Sequence, residues 1–592
     1  MGVKGLWRYV EHHNIQYAYP SKNARADCYA VNPRHLLIDM NAVLHIAYNP
    51  KVPTTAATLR AVAAKMDELL TRVRPHDTLV LVYDGVAPIA KLKTQKERRH
   101  SLSIHPPRSA TAPTTSKCSG SNSIRVSPWY TCDPVLDEVP LHREEILCGA
   151  EFVLACEEYI TTYLQRRKAQ YSWEKLMVSG CRESGEGEVK MSALLRRLWA
   201  ATVADGSYDP DDTVSIVGND SDLILVAMVA VPYAHYSLID PFDLSLTSLW
   251  ELMNHWSKAV PNPPLPAELL PSYRIDFVFL MLLSGDDYYD GIGSGSVALW
   301  QRYRHLRANE GYFRRSLIFG RHLEVDVELL RAVFARSGSM AAQLSRVSRN
   351  KRKTAKALLR GDRSGGVGGR AKEGAELLAA ALWSLRSYVF GYCTDYGFVP
   401  HQVGPPSVGS LRAAVQVRGL SRKIGSVAAE GDANGETTDA GKVKEVLRPA
   451  KPIFSPLEQC VAVLGIRGRF SLELSRAIRA STEDDGHRLT TSTSIGLLTE
   501  TVKNIIASVD TAQLTEAERR LSNCCRAGAE DDNEDVSAFM RLAALRPRKT
   551  APAATQEEKQ PNRAEEVQPT ETEGSDGEDS DDKDETLALK RQ

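Results

Sequence analysis

The chain has 592 residues, of which 43% are hydrophobic and 25% charged, enough for a large buried core and more than one domain. Lysine plus arginine and aspartate plus glutamate each number 74, so net charge gives no sign of a nucleic-acid partner. The ten cysteines form no CxxC pair, which argues against a zinc ribbon or a disulfide framework. No apolar run reaches membrane-spanning length, and MGVKGLWRYV lacks a signal-peptide core. We therefore expect an intracellular protein of the nucleus or cytoplasm, with no membrane partner.

Strands and helices alternate in the first part of the chain. Four apolar runs have the length and composition of buried strands: HLLID at 35–39, TLVLVYD at 78–84, KLMVS at 175–179 and TVSIV at 213–217. Apolar residues at helical spacing predict helices over 59–73 and 152–163. This order predicts an α/β fold with a parallel sheet flanked by helices, in which ligands bind beyond the carboxyl ends of the strands.

Carboxylates accumulate where these runs end. They are Asp39, Asp84, Glu186 and Glu188 in SGEGEVK, Asp220 and Asp222 in GNDSD, and Asp286 and Asp287 in SGDDYYDG after the apolar run 277–283. A single aspartate at a strand end is more often a turn or helix cap than a ligand. Acids from four or five strand ends would repel one another at one edge of the sheet unless a cation neutralised them. The pattern predicts divalent metal, and two ions about 4 Å apart can promote phosphodiester hydrolysis.

A basic segment follows the second acid. After Asp84 the chain reads GVAPIAKLKTQKERRH, in which Lys91, Gln95, Arg98 and Arg99 recur at helical spacing. A helix starting at Lys91 would place these side chains on one face, where arginines can bind a phosphate through paired hydrogen bonds. A solvated basic helix face is the alternative interpretation, and the neighbouring acids favour a terminal-phosphate pocket.

In this order, the motifs resemble those of the XRN family of 5′→3′ exoribonucleases. They are MGVKGLWRYV, LLIDMNAVLHIAY, VYDGVAPIAKLKTQKERR, ILCGAEF, SGEGEVK, GNDSDLI and DFVFLMLLSGDDY. The resemblance is dense over residues 1–310 and returns as PIFSPLEQCVAVLGI at 452–466. It implies a PIN-like core of the flap-endonuclease superfamily, two Mg²⁺ or Mn²⁺ ions, and a single-stranded RNA substrate with a 5′-monophosphate.

The resemblance also implies individual roles. The metal-site acids would be Asp39, Asp84, Glu186, Glu188, Asp220, Asp222 and Asp287. Lys91, Gln95, Arg98 and Arg99 would form the pocket for the 5′-monophosphate, and His45 would stack on the terminal base. The implied reaction removes one 5′-terminal mononucleotide at a time, and a capped 5′ end would not fit the phosphate pocket.

Two stretches depart from the family pattern. SGDDYYDGIGSG has Asp286 where the family has asparagine, and it resembles flap endonucleases. In ALWSLRSYVFGYCTDYGFVPH, Asp395 and Gly397 stand at the family's tryptophan positions, which puts a stacking role and strong processivity in doubt. A flap-type DNA endonuclease and a catalytically weak RNA-binding scaffold therefore stay open as alternatives.

We predict five regions along the chain. They are a nuclease core at 1–310 with an insertion at about 101–134, a helical extension at 311–403 with a basic segment, a flexible linker at 404–449, a helical C-terminal part of the core at 450–545, and a disordered acidic tail at 546–592. The cluster Lys351, Arg352, Lys353 is consistent with a nuclear signal, an RNA contact or a solvated arm. The tail could dock a protein partner or compete with RNA, and solubility alone would also explain it.

Overall fold

The centre of the structure is a mixed β-sheet. The computed structural model describes residues 2–12, 16–17, 32–104, 139–258, 269–335, 367–400, 406–417, 420, 448–483 and 495–524, apart from a few isolated positions in these ranges. Within them, seven strands form this sheet in the order β1-β7-β6-β5-β2-β3-β4, and β8 and β9 form a separate pair. The bounds are β1 Gln16–Tyr17, β2 His35–Asp39, β3 Thr78–Val82, β4 Lys175–Ser179, β5 Thr213–Val217, β6 His235–Ile239, β7 Leu246–Ser248, β8 Ile318–Phe319 and β9 Glu324–Val325.

The strands predicted from the sequence are parallel neighbours. Leu37 of β2 lies opposite Val80 of β3 and Ile216 of β5, and β4 and β6 extend the parallel set on either side. The remaining two strands are antiparallel: β7 to β6, and β1 to β7. The predicted α/β class is confirmed, but the sheet is mixed because β7 follows β6 after a short turn, and a short connection permits only antiparallel pairing.

Helices pack on both faces of the sheet. Alternation along β2 sends Leu37 into one core, and Leu36 and Ile38 into the other. The helices are α1 Leu6–His12, α2 Met40–Ala47, α3 Thr55–Arg72, α4 Ile89–Ile104, α5 Glu151–Arg166, α6 Gly187–Ala204, α7 Asp222–Val229, α8 Leu249–Lys258, α9 Leu270–Leu282, α10 Gly295–Asn309, α11 Val327–Phe334, α12 Val367–Phe390, α13 Val408–Ala414, α14 Pro456–Leu464, α15 Leu472–Glu483, α16 Ile495–Ala507 and α17 Glu516–Leu521. In the part of the chain that the structure describes, none of these helices combines the length and apolar character needed to span a bilayer.

The apolar run 277–283 does not form a fifth strand. It belongs to α9, whose residues from Tyr273 to Leu282 are all buried. A helix buried on every side has no polar face, so its period is hidden and a short window of it is indistinguishable from a buried strand. Asp286 and Asp287 therefore reach the edge of the sheet from the end of a helix.

The C-terminal helices share a core with the sheet. Val461 of α14 and Val502 of α16 pack in the same cluster as Ile38 of β2. Part of the expected linker is also ordered, because α13 packs on α12 and Leu411 is fully buried. The helix α12 begins at Val367, within the helical extension predicted at 311–403. Residues 105–134 of the insertion, residues 351–353, most of the rest of the linker and the acidic tail lie outside the described residues.

Candidate active site

The first two acids are fixed by backbone amides at the carboxyl edge of the sheet. Asp39, the last residue of β2, caps α2, because its Oδ1 accepts hydrogen bonds from the amides of Asn41 (2.9 Å) and Ala42 (3.2 Å). Asp84 lies two residues beyond β3 and accepts a 2.8 Å hydrogen bond from the amide of Gly187, with a second from Asn41 Nδ2. Asp84 thus ties the end of β3 to the first turn of α6.

Three further acids lie close enough to share a cation. Carboxylate oxygens of Glu188, Asp220 and Asp222 all lie within 4.8 Å of one another. Glu188 is in the first turn of α6, and the two aspartates follow β5. None of the three makes an ion pair with a side chain that the structure describes. Three clustered carboxylates that form no such ion pair suit a hard divalent cation such as Mg²⁺ or Mn²⁺.

The remaining two predicted acids are engaged by cations of α4. Glu186 is buried, and its Oε1 lies 2.6 Å from Lys91 Nζ, while its Oε2 accepts a hydrogen bond from the Tyr288 hydroxyl. Asp287 lies 2.6 Å from Arg98 Nη2 and 3.8 Å from Lys91 Nζ. Lys91 therefore bridges acids from two chain segments and neutralises part of the charge at this edge.

The ionisation of these groups reflects their crowding. Burial raises the pKa of Asp39 to about 7, and the charges of Asp84 and Asp220 add to the effect. Burial likewise raises the pKa values of Glu188 and Asp222 well above the usual range. Asp287 differs: although burial raises its pKa, the charges of Lys91 and Arg98 hold it below the usual value. Asp39, Glu188 and Asp222 thus resist ionising together, and a bound cation would favour their charged forms.

Asp286 does not point to the acidic edge. Its Oδ1 accepts hydrogen bonds from the amides of Tyr288 (2.8 Å) and Tyr289 (3.2 Å), and its Oδ2 accepts one from the Ser384 hydroxyl (2.9 Å). Burial raises its pKa to about 7. Asp286 therefore closes the turn after α9 and joins it to α12, as a capping residue does.

The predicted basic helix is α4, and its basic side chains contact two different sets of partners. Lys91 and Arg98 reach the acids, whereas Arg99 donates from Nη2 to the carbonyl oxygen of Ile146 (3.3 Å). Gln95 is buried, and its backbone carbonyl oxygen accepts a hydrogen bond from Arg99 Nη1 (3.3 Å). His45 of α2 is on the Arg99 side: burial, and then the positive charges of Arg143 and Arg99, lower its pKa to about 4.

Four residues that our sequence reasoning missed complete the site. The amide of Val3 donates a 3.0 Å hydrogen bond to Asp222 Oδ1, Asn41 and Tyr288 bind acids as described above, and Lys190 is buried in α6. Lys190 Nζ donates 2.7 Å hydrogen bonds to the carbonyl oxygens of Tyr83 and Gly180, at the ends of β3 and β4. The motif MGVKG gave the only signal for the N-terminal contact, and nothing in the sequence identified the other contacts.

A cavity of about 820 Å³ opens beside the acids. It is lined by Trp7 and Arg8 of α1, by Lys93 and Arg98 of α4, and by residues 286–290. Its walls carry both signs of charge, and it leads to Asp287. This is enough room for a nucleotide-sized group next to the acidic edge.

The fold and the site together define an α/β protein with a cluster of acidic side chains at the carboxyl edge of its sheet, next to basic side chains of α4. Residues 1–239 match the family model described as the XRN 5′-3′ exonuclease N-terminus. Residues 1–239 are therefore similar to the N-terminal region of the XRN 5′-3′ exonucleases, which confirms the resemblance inferred from the motifs.

Similar proteins of known name carry names of the same family. The chain is 26% identical over 212 residues to 5′-3′ exoribonuclease 2 of Arabidopsis thaliana, covering 35% of this chain and 20% of that protein. It is 25% identical over 278 residues to 5′-3′ exoribonuclease 2 of Gallus gallus, covering 43% of this chain and 28% of that one. The chain thus spans less than a third of the length of these relatives.

One solved structure is similar at low identity. The catalytic core of Rad2 in complex with a DNA substrate matches with a TM-score of 0.30 and 10% identity, covering 66% of this chain and 96% of that one.

Proposed function

We propose that this protein is a metal-dependent 5′→3′ exoribonuclease that degrades 5′-monophosphorylated, single-stranded RNA to mononucleotides. The observation that carries this proposal is the meeting of seven carboxylates from five separate chain segments at one edge of the sheet, with Arg98 and Arg99 beside them. The named relatives support the direction of cleavage and the RNA substrate.

The donor set fits the proposed metal. Glu188, Asp220 and Asp222 offer oxygens within 4.8 Å of one another, and they would hold the first ion. Asp39 and Asp84 lie within electrostatic range of the same acids and would complete a site for two ions. When bound, Mg²⁺ or Mn²⁺ would supply activation of the attacking water and stabilisation of the leaving oxygen.

The protein's own residues would bind and align the substrate. Arg98 and Arg99 would bind the terminal 5′-phosphate through their guanidinium groups, and Gln95, buried in the same helix, would complete the pocket. His45, whose low pKa keeps it neutral, would stack on the terminal base. Lys91, held between Glu186 and Asp287, would reduce the repulsion between the acidic edge and the approaching phosphodiester. Recognition of the end and backbone explains an exonuclease without base readout.

The test is a cleavage time course on three RNAs of one sequence, carrying a 5′-monophosphate, triphosphate or hydroxyl, with Mg²⁺ or with EDTA. We expect the monophosphate RNA to release mononucleotides from the first time points onward, and only when Mg²⁺ is present. Asp220→Ala should reduce this cleavage by more than about 100-fold and leave RNA binding in EDTA unchanged. The matched control is Asp243→Ala, because Asp243 is an exposed acid on another loop.

The other outcomes separate the alternatives. Internal cuts, or faster cleavage of a DNA flap than of RNA, would replace the proposal with a flap-type endonuclease. Tight RNA binding with no cleavage by the unmodified protein would identify a scaffold. Unchanged turnover by Asp220→Ala would contradict the metal assignment.

A further inference from the structure

The segment from Val139 to Ile146 is fixed on several sides. The amide of Thr55 donates to the carbonyl oxygen of Val139 (2.8 Å), and the Tyr48 hydroxyl donates to that of Leu141 (3.3 Å). At the other end, Arg99 Nη2 donates to the carbonyl oxygen of Ile146 (3.3 Å). The segment therefore bridges the end of α2 and the Arg99 side of α4.

A capping box and an ion pair stiffen the same segment. The amide of His142 donates a 2.7 Å hydrogen bond to Glu145 Oε2, and the amide of Glu145 donates back to the carbonyl oxygen of His142 (2.9 Å). Glu145 Oε1 also lies 3.3 Å from Arg469 Nε, on the loop before α15. The backbone of this turn is consequently ordered before any ligand binds. A side chain on it can therefore contact a ligand with little loss of backbone entropy.

Arg143 is the exposed cation on this turn. Its guanidinium makes no hydrogen bond or ion pair with any residue that the structure describes. It lies between Leu141 and Ile146, whose carbonyl oxygens accept from Tyr48 and Arg99, and Tyr48 follows His45 by one turn at the end of α2. After burial, the charge of Arg143 is the next cause of the low pKa of His45. Arg143 and Arg99 therefore lie near His45, whereas Arg98 pairs with Asp287.

We propose that the Arg143 guanidinium binds a second phosphate group of the substrate, next to the terminal phosphate assigned to Arg98 and Arg99. This inference rests on the proposed function, since it takes His45 and Arg99 as the place of the 5′-terminal nucleotide. A guanidinium group can bind two phosphate oxygens at once. When an exposed arginine binds a phosphate, hydrogen bonds to the phosphate replace most of those that it made to water. An arginine on a fixed turn, with no partner among the described residues, suits the phosphate that joins the terminal nucleotide to the next one.

Salt dependence measures this contact directly. Each phosphate contact to a single strand adds about 0.7 to the slope of log affinity against log salt. We expect Arg143→Ala to lower that slope by about 0.7 and to weaken binding of 5′-monophosphate RNA in EDTA about 5- to 10-fold. The turnover number at saturating RNA should stay within about 2-fold, so that the loss appears in KM. Arg314→Ala, which removes an exposed arginine from the loop after α10, should change neither the slope nor KM.

Two arms identify the source of the second phosphate. If it joins the first two nucleotides, Arg143→Ala weakens binding of a 5′-phosphorylated dinucleotide and spares a mononucleoside 5′-monophosphate. If the second phosphate instead belongs to an extended 5′ end, the variant weakens binding of triphosphate RNA only. Both results support a second phosphate at Arg143.

An unchanged salt slope and KM in Arg143→Ala with both the monophosphate and the triphosphate RNA, while the unmodified protein binds and cleaves the monophosphate RNA, would overturn this inference alone. Absence of binding and cleavage by the unmodified protein would overturn the proposed function itself. Arg143→Lys provides a further check: a lysine keeps the charge, so it should restore the slope and only part of the affinity.

Discussion

The backbone amide of Val3 donates a 3.0 Å hydrogen bond to Oδ1 of Asp222, which lies 219 positions further along the chain. The preceding residue, Gly2, has a φ of +68°, and a Cβ there would lie 2.0 Å from Asp220 Oδ1 and 2.7 Å from Asp222 Oδ1. The start of the chain is therefore part of the acidic edge, and it leaves no room for a side chain against the two aspartates that follow β5.

We predict that Gly2→Ala impairs cleavage while the protein stays folded. The added methyl group must displace Asp220 or Asp222, so we expect turnover to fall by at least about 10-fold and the Mg²⁺ midpoint to rise. The matched control is Gly206→Ala, at a φ of +75° with nothing within 4 Å of its Cβ, which carries the same backbone strain without the clash. Equal activity of the two variants would show that strain, not the displaced acids, causes any loss.

The positions of the acids after the strands could be predicted because a parallel sheet delivers its carboxyl ends to one edge. Asp39, Asp84 and Asp220 follow from that rule and from the polar break after each apolar run. Asp287 was expected on the same grounds, but it arrives from α9, whose fully buried sequence hides its helical period. Asp287 was thus predicted to follow a strand, whereas it follows a helix.

Other parts of the site depend on contacts that sequence spacing does not encode. The spacing of Lys91, Gln95, Arg98 and Arg99 identified a helix, but it could not show that Lys91 and Arg98 pair with acids while Arg99 contacts Ile146. Those directions are set by packing between segments far apart in the chain, as is the contact of Val3 with Asp222. Such long-range pairs leave no periodic trace in the sequence.

We predict that replacing Arg98 and Arg99 together with alanine reduces the preference for 5′-monophosphate over 5′-hydroxyl RNA by more than about 10-fold, because each guanidinium would bind the terminal phosphate. Competition between the two RNAs in one reaction measures this preference. Replacing Arg60 and Arg74 together, two exposed arginines of the α3 region, is the control for lost positive charge. A preference that survives the removal of Arg98 and Arg99 would place the phosphate pocket elsewhere.

Lys190 provides a test of how α6 is held. Lys190→Met leaves the carbonyl oxygens of Tyr83 and Gly180 without their donor, which should destabilise the protein by about 1–3 kcal/mol. Because α6 carries Glu188, we also expect a fall in turnover beyond that caused by unfolding. Arg274→Met is the matched control: Arg274 is a buried cation that donates to backbone carbonyl oxygens of residues 227, 228 and 231.

Thermal unfolding and turnover of both variants, measured below their melting temperatures, separate the two effects. Arg274→Met should lower the melting temperature comparably and leave the turnover of the folded fraction unchanged. Equal turnover losses in the two variants would mean that Lys190 contributes to stability alone and does not position the acids.

The raised pKa of Asp39 predicts how stability depends on pH without metal. Burial, and then the charges of Asp84 and Asp220, raise this pKa from 3.8 to about 7. The folded state therefore holds a proton that the unfolded state loses, so the contribution of Asp39 to stability is fully present below pH 3.8 and is lost as pH rises through 7. In Asp39→Asn the amide stays neutral, and its oxygen can still accept from the amides of Asn41 and Ala42.

We accordingly expect the melting temperature of Asp39→Asn in EDTA to exceed that of the unmodified protein by a few degrees at about pH 8, with the difference shrinking towards about pH 4. Excess Mg²⁺ should reverse the order at about pH 8, because a cation stabilises the carboxylate and not the amide. Asp243→Asn, at an exposed acid, controls for the substitution itself. A difference that does not vary with pH in EDTA would show that Asp39 is ionised in the metal-free protein, and the crowding of the acidic edge would then be weaker than its geometry implies.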